Sequence, residues 1–396
     1  GRACRRGRRC ARRGTGGVGR RPAEEQREPD RAQAEDVRRG RGEAGARADD
    51  LGRDVAGRGG DRPDRGARGG ERPVAAQERA LNLYSSRHYD TDRALYEGFT
   101  AESGIRIRLI EGDADQLIAR IQSEGANSPA DVLLTVDAAK LARAVEAGIL
   151  AETRSETLQA RIPAHLRAAD GQWYGLSSRA RVIIYDKQKG APAGVARYED
   201  LALPVYRGQI LIRAAAHPYN TSLMASLLLA NGAEAAEAWA RGVVANMARP
   251  PQGGDTPQFQ AVAAGVGRMA IANTYYLARF GASANAQEKA LYDRIGVIFP
   301  NQGAGDRGTH VNVSGAGVVR SSANQASALR FIEYLSSQRA QELFANGNFE
   351  YPVVAGVAPH PALTALGSFR ADQLNAQRYG ALAPEALRIM QRAGWR

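Results

Sequence analysis

The chain has 396 residues and a net charge of +12, too long for one small core, so two domains are expected. Charge is uneven: the first 80 residues hold 22 Arg, no Lys, no aromatic residue and 14 Asp and Glu, and so carry +8 of the +12. Both cysteines, Cys4 and Cys10, lie in that stretch, which excludes a disulfide or thiolate metal site from the rest, and no run of 18 apolar residues suggests a membrane-spanning helix.

Residues 1–80 show neither a period of 2 nor of 3.6 and almost no large apolar side chains. Such a segment cannot bury enough surface to offset its ordering entropy, and a disordered Arg/Gly-rich extension is expected. Its Lys-free bias also resembles a GC-rich reading frame translated by accident. An Arg-rich tail can bind nucleic-acid phosphates. Here no aromatic residue is interleaved for base stacking, so no nucleic-acid partner is expected. No apolar leader segment is readable, and if the body is exported its true start is expected to be misassigned.

From Leu81 the pattern changes. LNLYSS reads as an alternating strand, DTDRALYEGFTAESG as a helix with Gly at its end, IRIRLIEG as a strand and DQLIARIQSEG as a helix. ADVLLTV and DAAKLARAVEAGIL repeat the alternation, which predicts an α/β domain with a largely parallel sheet. A second unit follows: strands RARVIIYD and QILIR, helices SLMASLLLANG and EAAEAWARGVVANM, then TPQFQAVAAGVGRMAIAN as helix then strand, and IGVIFPN as a strand. NQASALRFIEYLSSQRAQELFANG reads as one periodic helix, and the C-terminal tail is helical too.

Tyr275 and Tyr276 stand side by side in IANTYYLARF. Neighbouring side chains point to opposite faces of a strand and diverge by roughly 100° on a helix. A Tyr-Tyr pair therefore suits a loop or a helix start, and the preceding Asn-Thr supplies an N-cap. Catalytic signatures are missing: no GxSxG, no Walker loop and no GxGxxG opening a helix. Nothing here marks an enzyme. His165, His217, His310 and His360 show no zinc-site spacing and read as structural. Tyr84, Tyr96, Tyr174, Tyr185 and Tyr334 read as core or surface positions.

The stretches LNLYSSRHYDTD, SPADVLLTVDAAKLARAVEAGIL, WYGLSSRARVIIYD, HPYNTS, IANTYYLARF, THVNVSGAGVVRSS and EYPVV, in this order, resemble the periplasmic ferric-iron-binding proteins of ABC importers. The resemblance covers residues 81–396 and none of 1–80. It implies a type II periplasmic-binding-protein fold: two α/β lobes joined by extended hinge crossovers and closing over a cleft. The expected N-terminal lobe is 81–179 plus about 314–360, and the C-terminal lobe 180–313 plus about 361–396.

The resemblance further implies Fe³⁺ ligands at Tyr89, Tyr219, Tyr275 and Tyr276, with His88 matching an additional ligand of some members. Where some members place a carboxylate ligand, this chain has Val136 beside Asp137, which implies the tyrosine-rich subtype. Arg179 and Arg181 are implied as neighbours that neutralise excess charge or hold a synergistic anion such as carbonate. The chemistry is consistent, because Fe³⁺ is a small hard cation suited to anionic oxygen, and a bound metal can strip a phenol with pKa about 10 of its proton. Periplasmic iron delivery to an inner-membrane ABC permease, by a monomeric body, is the implied role. The competing readings are the same fold with another small anion or a polyamine as cargo, and a nucleic-acid-associated protein acting through the Arg-rich tail.

Overall fold

The computed structural model describes residues 79–87 and 89–396. These fall within one unit, Pro73–Arg396. The extension expected over 1–80 therefore lies outside the described residues except at its end, where Ala80 already begins a strand, and His88 lies outside them too.

Nine strands are described: β1 (Ala80–Ser85), β2 (Arg106–Glu111), β3 (Val132–Thr135), β4 (Tyr174–Asp186), β5 (Ile210–Leu211), β6 (Met269–Asn273), β7 (Ile295–Ile298), β8 (Val311–Val318) and β9 (Tyr351–Pro352). They pair in the order β2-β1-β3-β8-β4-β6-β5, with β7 and β9 also on β4. The largely parallel sheet expected from the alternation holds only in part. Strand β1 is parallel to β2 and β3, and β5 is parallel to β6, because helical crossovers connect parallel neighbours. Strands β4 and β8 instead run antiparallel to their partners.

Strand β4 positions everything that follows. Its first half, Tyr174–Ala180, pairs with β8, and its second half, Arg181–Tyr185, pairs with β6. One 13-residue strand thus serves two sets of neighbours. Only its second half was legible as a strand in the sequence, because SSRAR interrupts the apolar run with buried arginines.

Strand side chains alternate between two apolar layers. Tyr84, Leu133, Ile183, Val313 and Ile271 pack on one side with Trp173, Trp239 and Trp395. Leu83, Val132, Val182, Val311 and Ala272 pack on the other with Phe99, Phe259 and Phe331. Burial on both faces explains why these strands read as nearly unbroken apolar runs. Tyr84, Tyr96, Tyr174 and Tyr334 are all core residues. Among the described residues, no helix is long and apolar enough to cross a membrane.

The single long helix expected near the end is two, Gln325–Leu335 and Gln338–Asn348. Ser336 and Ser337 divide it. The Ser336 hydroxyl donates back to the Glu333 carbonyl, and Ser337, in extended conformation, accepts from the Ala340 N–H as an N-cap. Serines compete for backbone partners in this way and favour helix ends over interiors. Ser337→Ala is expected to lower the unfolding free energy by about 1 kcal/mol, measured by urea denaturation. An unchanged midpoint would mean that water satisfies the freed N–H equally well.

Candidate metal centre

Three of the four tyrosines sit at helix starts. Tyr219 occupies the first turn of the helix Pro218–Asn231. His217 precedes it, accepts the Tyr219 N–H on Nδ1 at 3.3 Å and packs its ring edge on the Tyr219 ring at 4.4 Å. Burial, helped by Arg213, pushes His217 down to about 3, so it is a neutral acceptor that orients Tyr219. Tyr275 and Tyr276 open the helix Thr274–Ala282, which follows directly on β6.

Asn273 is the N-cap residue of that helix, as expected, but its side chain makes no capping bond. Its Oδ1 is taken by Arg181 at 3.1 Å, and its N–H is given to Asp255 at 2.7 Å. Adjacent positions at a helix start still bring their rings together: Tyr275 and Tyr276 stack at 4.1 Å with 29° between planes. The hydroxyls of Tyr219 and Tyr275 lie 2.8 Å apart. Tyr275 is 2 % exposed, whereas Tyr89, Tyr219 and Tyr276 are half-buried.

Tyr89 arrives from the end of β1. The guanidinium carbon of Arg279 lies 5.8, 5.1 and 5.8 Å from the ring centres of Tyr89, Tyr275 and Tyr276, joining Tyr89 to the pair. Burial, reinforced by the neighbouring Tyr219, raises the Tyr89 phenol above its ordinary value. Burial and Tyr276 raise Tyr219, and burial with Tyr219, Tyr276 and Tyr89 raises Tyr275 far above it. Phenols so crowded hold their protons unless a cation replaces them.

Arginines ring this cluster, and buried carboxylates hold them. Arg179 is 1 % exposed, donates to Glu350 at 3.3 Å and to the Val136 carbonyl, and is electrostatically coupled to Tyr219, Tyr89 and Tyr275. Glu350 also accepts from Arg87 at 3.0 Å, and Arg87 lies 4.9 Å from the Tyr89 ring. On the other side Asp255 accepts from Arg181 at 2.7 Å and Arg213 at 3.1 Å. Arg181 stands 5.7 Å from the Tyr219 ring, but it donates to Asp255, Asn273 and Asn220.

The structure thus brings together Tyr89, Tyr219, Tyr275, Tyr276, Arg179 and Arg181. Sequence reasoning missed Arg87, Arg213, Asp255, Arg279 and Glu350. Glu350 stands in the EYPVV stretch, and an acidic residue inside an otherwise apolar segment was the available signal.

Asp137 is 1 % exposed and turned to structural work. One oxygen caps the helix Ala138–Glu146 through the Ala139 N–H at 2.8 Å, and the other accepts from Asn312 at 2.5 Å. His310 meets Ser222 at 2.9 Å, and His360 caps a short helix through the Ala362 N–H. Among the described residues, no group of three or more His, Cys, Asp or Glu is placed to hold a metal. Phenol oxygen is accordingly the donor type this cluster offers, and it fits a hard trivalent cation.

Comparison with known proteins places the chain in a family. The bacterial extracellular solute-binding protein family matches residues 127–365. The chain is 50 % identical over 328 residues to iron uptake protein A1 of Synechocystis sp., covering 82 % of this chain and 90 % of that protein. It is 29 % identical over 328 residues to the Fe(3+)-binding periplasmic protein of Serratia marcescens, covering 81 % and 92 %. A Trichodesmium protein (IdiA, FutA), solved in complex with iron and citrate ligands, superposes with a TM-score of 0.77 at 53 % identity, covering 80 % of this chain and all of that one. The fold is accordingly the two-lobed α/β fold of type II periplasmic binding proteins, as the ordered motifs implied. This chain belongs to the bacterial extracellular solute-binding protein family.

Proposed function

We propose that this protein captures Fe³⁺ in the cleft between its lobes through the phenolates of Tyr89, Tyr219, Tyr275 and Tyr276, and delivers it in the periplasm to an inner-membrane ABC permease. The observation that carries this reading is the 2.8 Å contact between the Tyr219 and Tyr275 hydroxyls, with Tyr276 stacked alongside and Tyr89 in the same electrostatic field. The relatives' names supply the cargo. His88 lies outside the described residues, and the ligand set is argued on the tyrosines.

The lobes we assign are 81–179 plus about 314–360, and 180–313 plus about 361–396. The change of partners along β4 between Ala180 and Arg181 supports a crossover there. Iron joining Tyr89 to the other three tyrosines would favour the closed arrangement by its differential contacts with the two lobes.

Charge argues for an anion beside the metal. Fe³⁺ with four phenolates carries −1, while five guanidiniums (Arg87, Arg179, Arg181, Arg213, Arg279) face three carboxylates (Asp92, Asp255, Glu350). The surplus positive charge suits a small synergistic anion such as carbonate, held by planar guanidinium donors.

Titration with ferric citrate tests the reading. A broad visible tyrosinate-to-iron band is expected, strongly reduced in Tyr275→Phe and in Tyr276→Phe. A folded, colourless protein would leave the tyrosines as scaffold and move the search to anionic or polyamine cargo.

A further inference from the structure

We propose that Asp255 is the positioning residue for the three-tyrosine half of the site, a role that rests on the iron reading above. Asp255 is the first residue of the helix Asp255–Ala263 and is fully buried. Its Oδ2 accepts from Arg181 Nη1 at 2.7 Å and from the Asn273 backbone N–H at 2.7 Å, and its Oδ1 accepts from Arg213 Nη1 at 3.1 Å.

Each of these bonds leads to a group beside a proposed ligand tyrosine. Asn273 immediately precedes the helix carrying Tyr275 and Tyr276, so its bond to Asp255 anchors the start of that helix. Arg181 also donates to Oδ1 of Asn220 at 2.8 Å, and Asn220 is the residue next to Tyr219. Arg181 and Arg213 also stand 5.7 and 5.2 Å from the Tyr219 ring centre, on either hand of the carboxylate. One anion therefore sets the place of Tyr219 relative to Tyr275 and Tyr276, and it neutralises part of the positive charge that would otherwise bear on their oxygens.

Only a carboxylate does both. Two cationic donors and one N–H converge on two oxygens, whereas an amide offers a single acceptor oxygen and turns an NH₂ toward a guanidinium. Outer-shell partners of this kind typically contribute 10–100-fold to metal affinity.

The test uses the full chain, loaded from ferric citrate and followed by its visible band and by competition with added citrate. Asp255→Asn is expected to bind iron roughly 10–100-fold more weakly. Its band should move to shorter wavelength, because unneutralised arginines stabilise the phenolate donor level. Asp255→Glu, which restores the charge, should return the band toward the wild-type position. Wild-type affinity and band in Asp255→Asn would overturn the proposal. So would equal weakening in both variants with an unmoved band, since that is loss of packing alone. If Asp255→Asn does not fold, Arg213→Gln removes one arm and keeps the other two; because it deletes a positive charge beside Tyr219, a smaller shift toward longer wavelength is expected, and no shift overturns the proposal. A colourless wild type defeats the iron reading and this proposal with it, whereas a coloured wild type with an unaltered Asp255→Asn defeats only the latter.

Discussion

Iron affinity is expected to rise by at least about a thousandfold for each unit of pH between about 5 and 7, roughly tenfold for each proton displaced from Tyr89, Tyr219 and Tyr275. Tyr89, Tyr219 and Tyr275 all have phenols raised above the ordinary value, first by burial and then by one another. Each is protonated in the empty site throughout that range. Fe³⁺ must displace a proton from each one it ligates, so lower pH opposes loading and favours release. Competition against citrate at several pH values, corrected for the protonation of citrate itself, gives the slope. A slope of one or less would mean that at most one of these phenols ionises on binding, and the ligand set would need revision.

Glu350→Ala is expected to cost about 3–5 kcal/mol of folding stability, the range for removing one partner from a buried ion pair. Glu350 is fully buried and takes bonds from Arg87 at 3.0 Å and Arg179 at 3.3 Å. Truncation takes the carboxylate from the Arg179 guanidinium and leaves it the bond to the Val136 carbonyl. Burial pushes the Glu350 carboxyl up, but Arg87 and Arg179 outweigh it and the net position is below the ordinary carboxylate value. The stabilisation is therefore present at neutral pH, where the unfolded carboxyl is also ionised. It is lost as pH falls through the depressed folded value. Urea unfolding at pH 7 and at successively lower pH should show wild type converging on Glu350→Ala in acid. Parallel curves at all pH values would assign the loss to packing instead of charge.

Much of this protein was legible before any coordinates. The alternation of LNLYSS, IRIRLIEG and ADVLLTV with amphipathic segments placed the first three strands and their parallel pairing, because strand and helix periods are local properties. Adjacent Tyr275 and Tyr276 after Asn-Thr suited a loop or a helix start, and the order of seven short motifs brought Tyr89 and Tyr219 into the same expectation. Where the sequence misled, the cause was also local: Ser336 and Ser337 ended a helix whose apolar period ran on without a break.

Tertiary structure decided the charges around the phenols. Nothing local separates Asp255 from the other acidic residues among the 42 in the chain, and the setting of Glu350 in EYPVV marks the residue without naming its arginine partners. Their partners stand far off in sequence: Arg181 is 74 residues from Asp255, and Arg179 is 171 residues from Glu350. The same holds for Arg279, whose bond to Asn348 spans 69 residues. The position of a candidate ligand tyrosine is carried by the segment around it. The electrostatic field around it is made by side chains that meet only when the strands and helices pack, and no periodicity along the chain encodes that meeting.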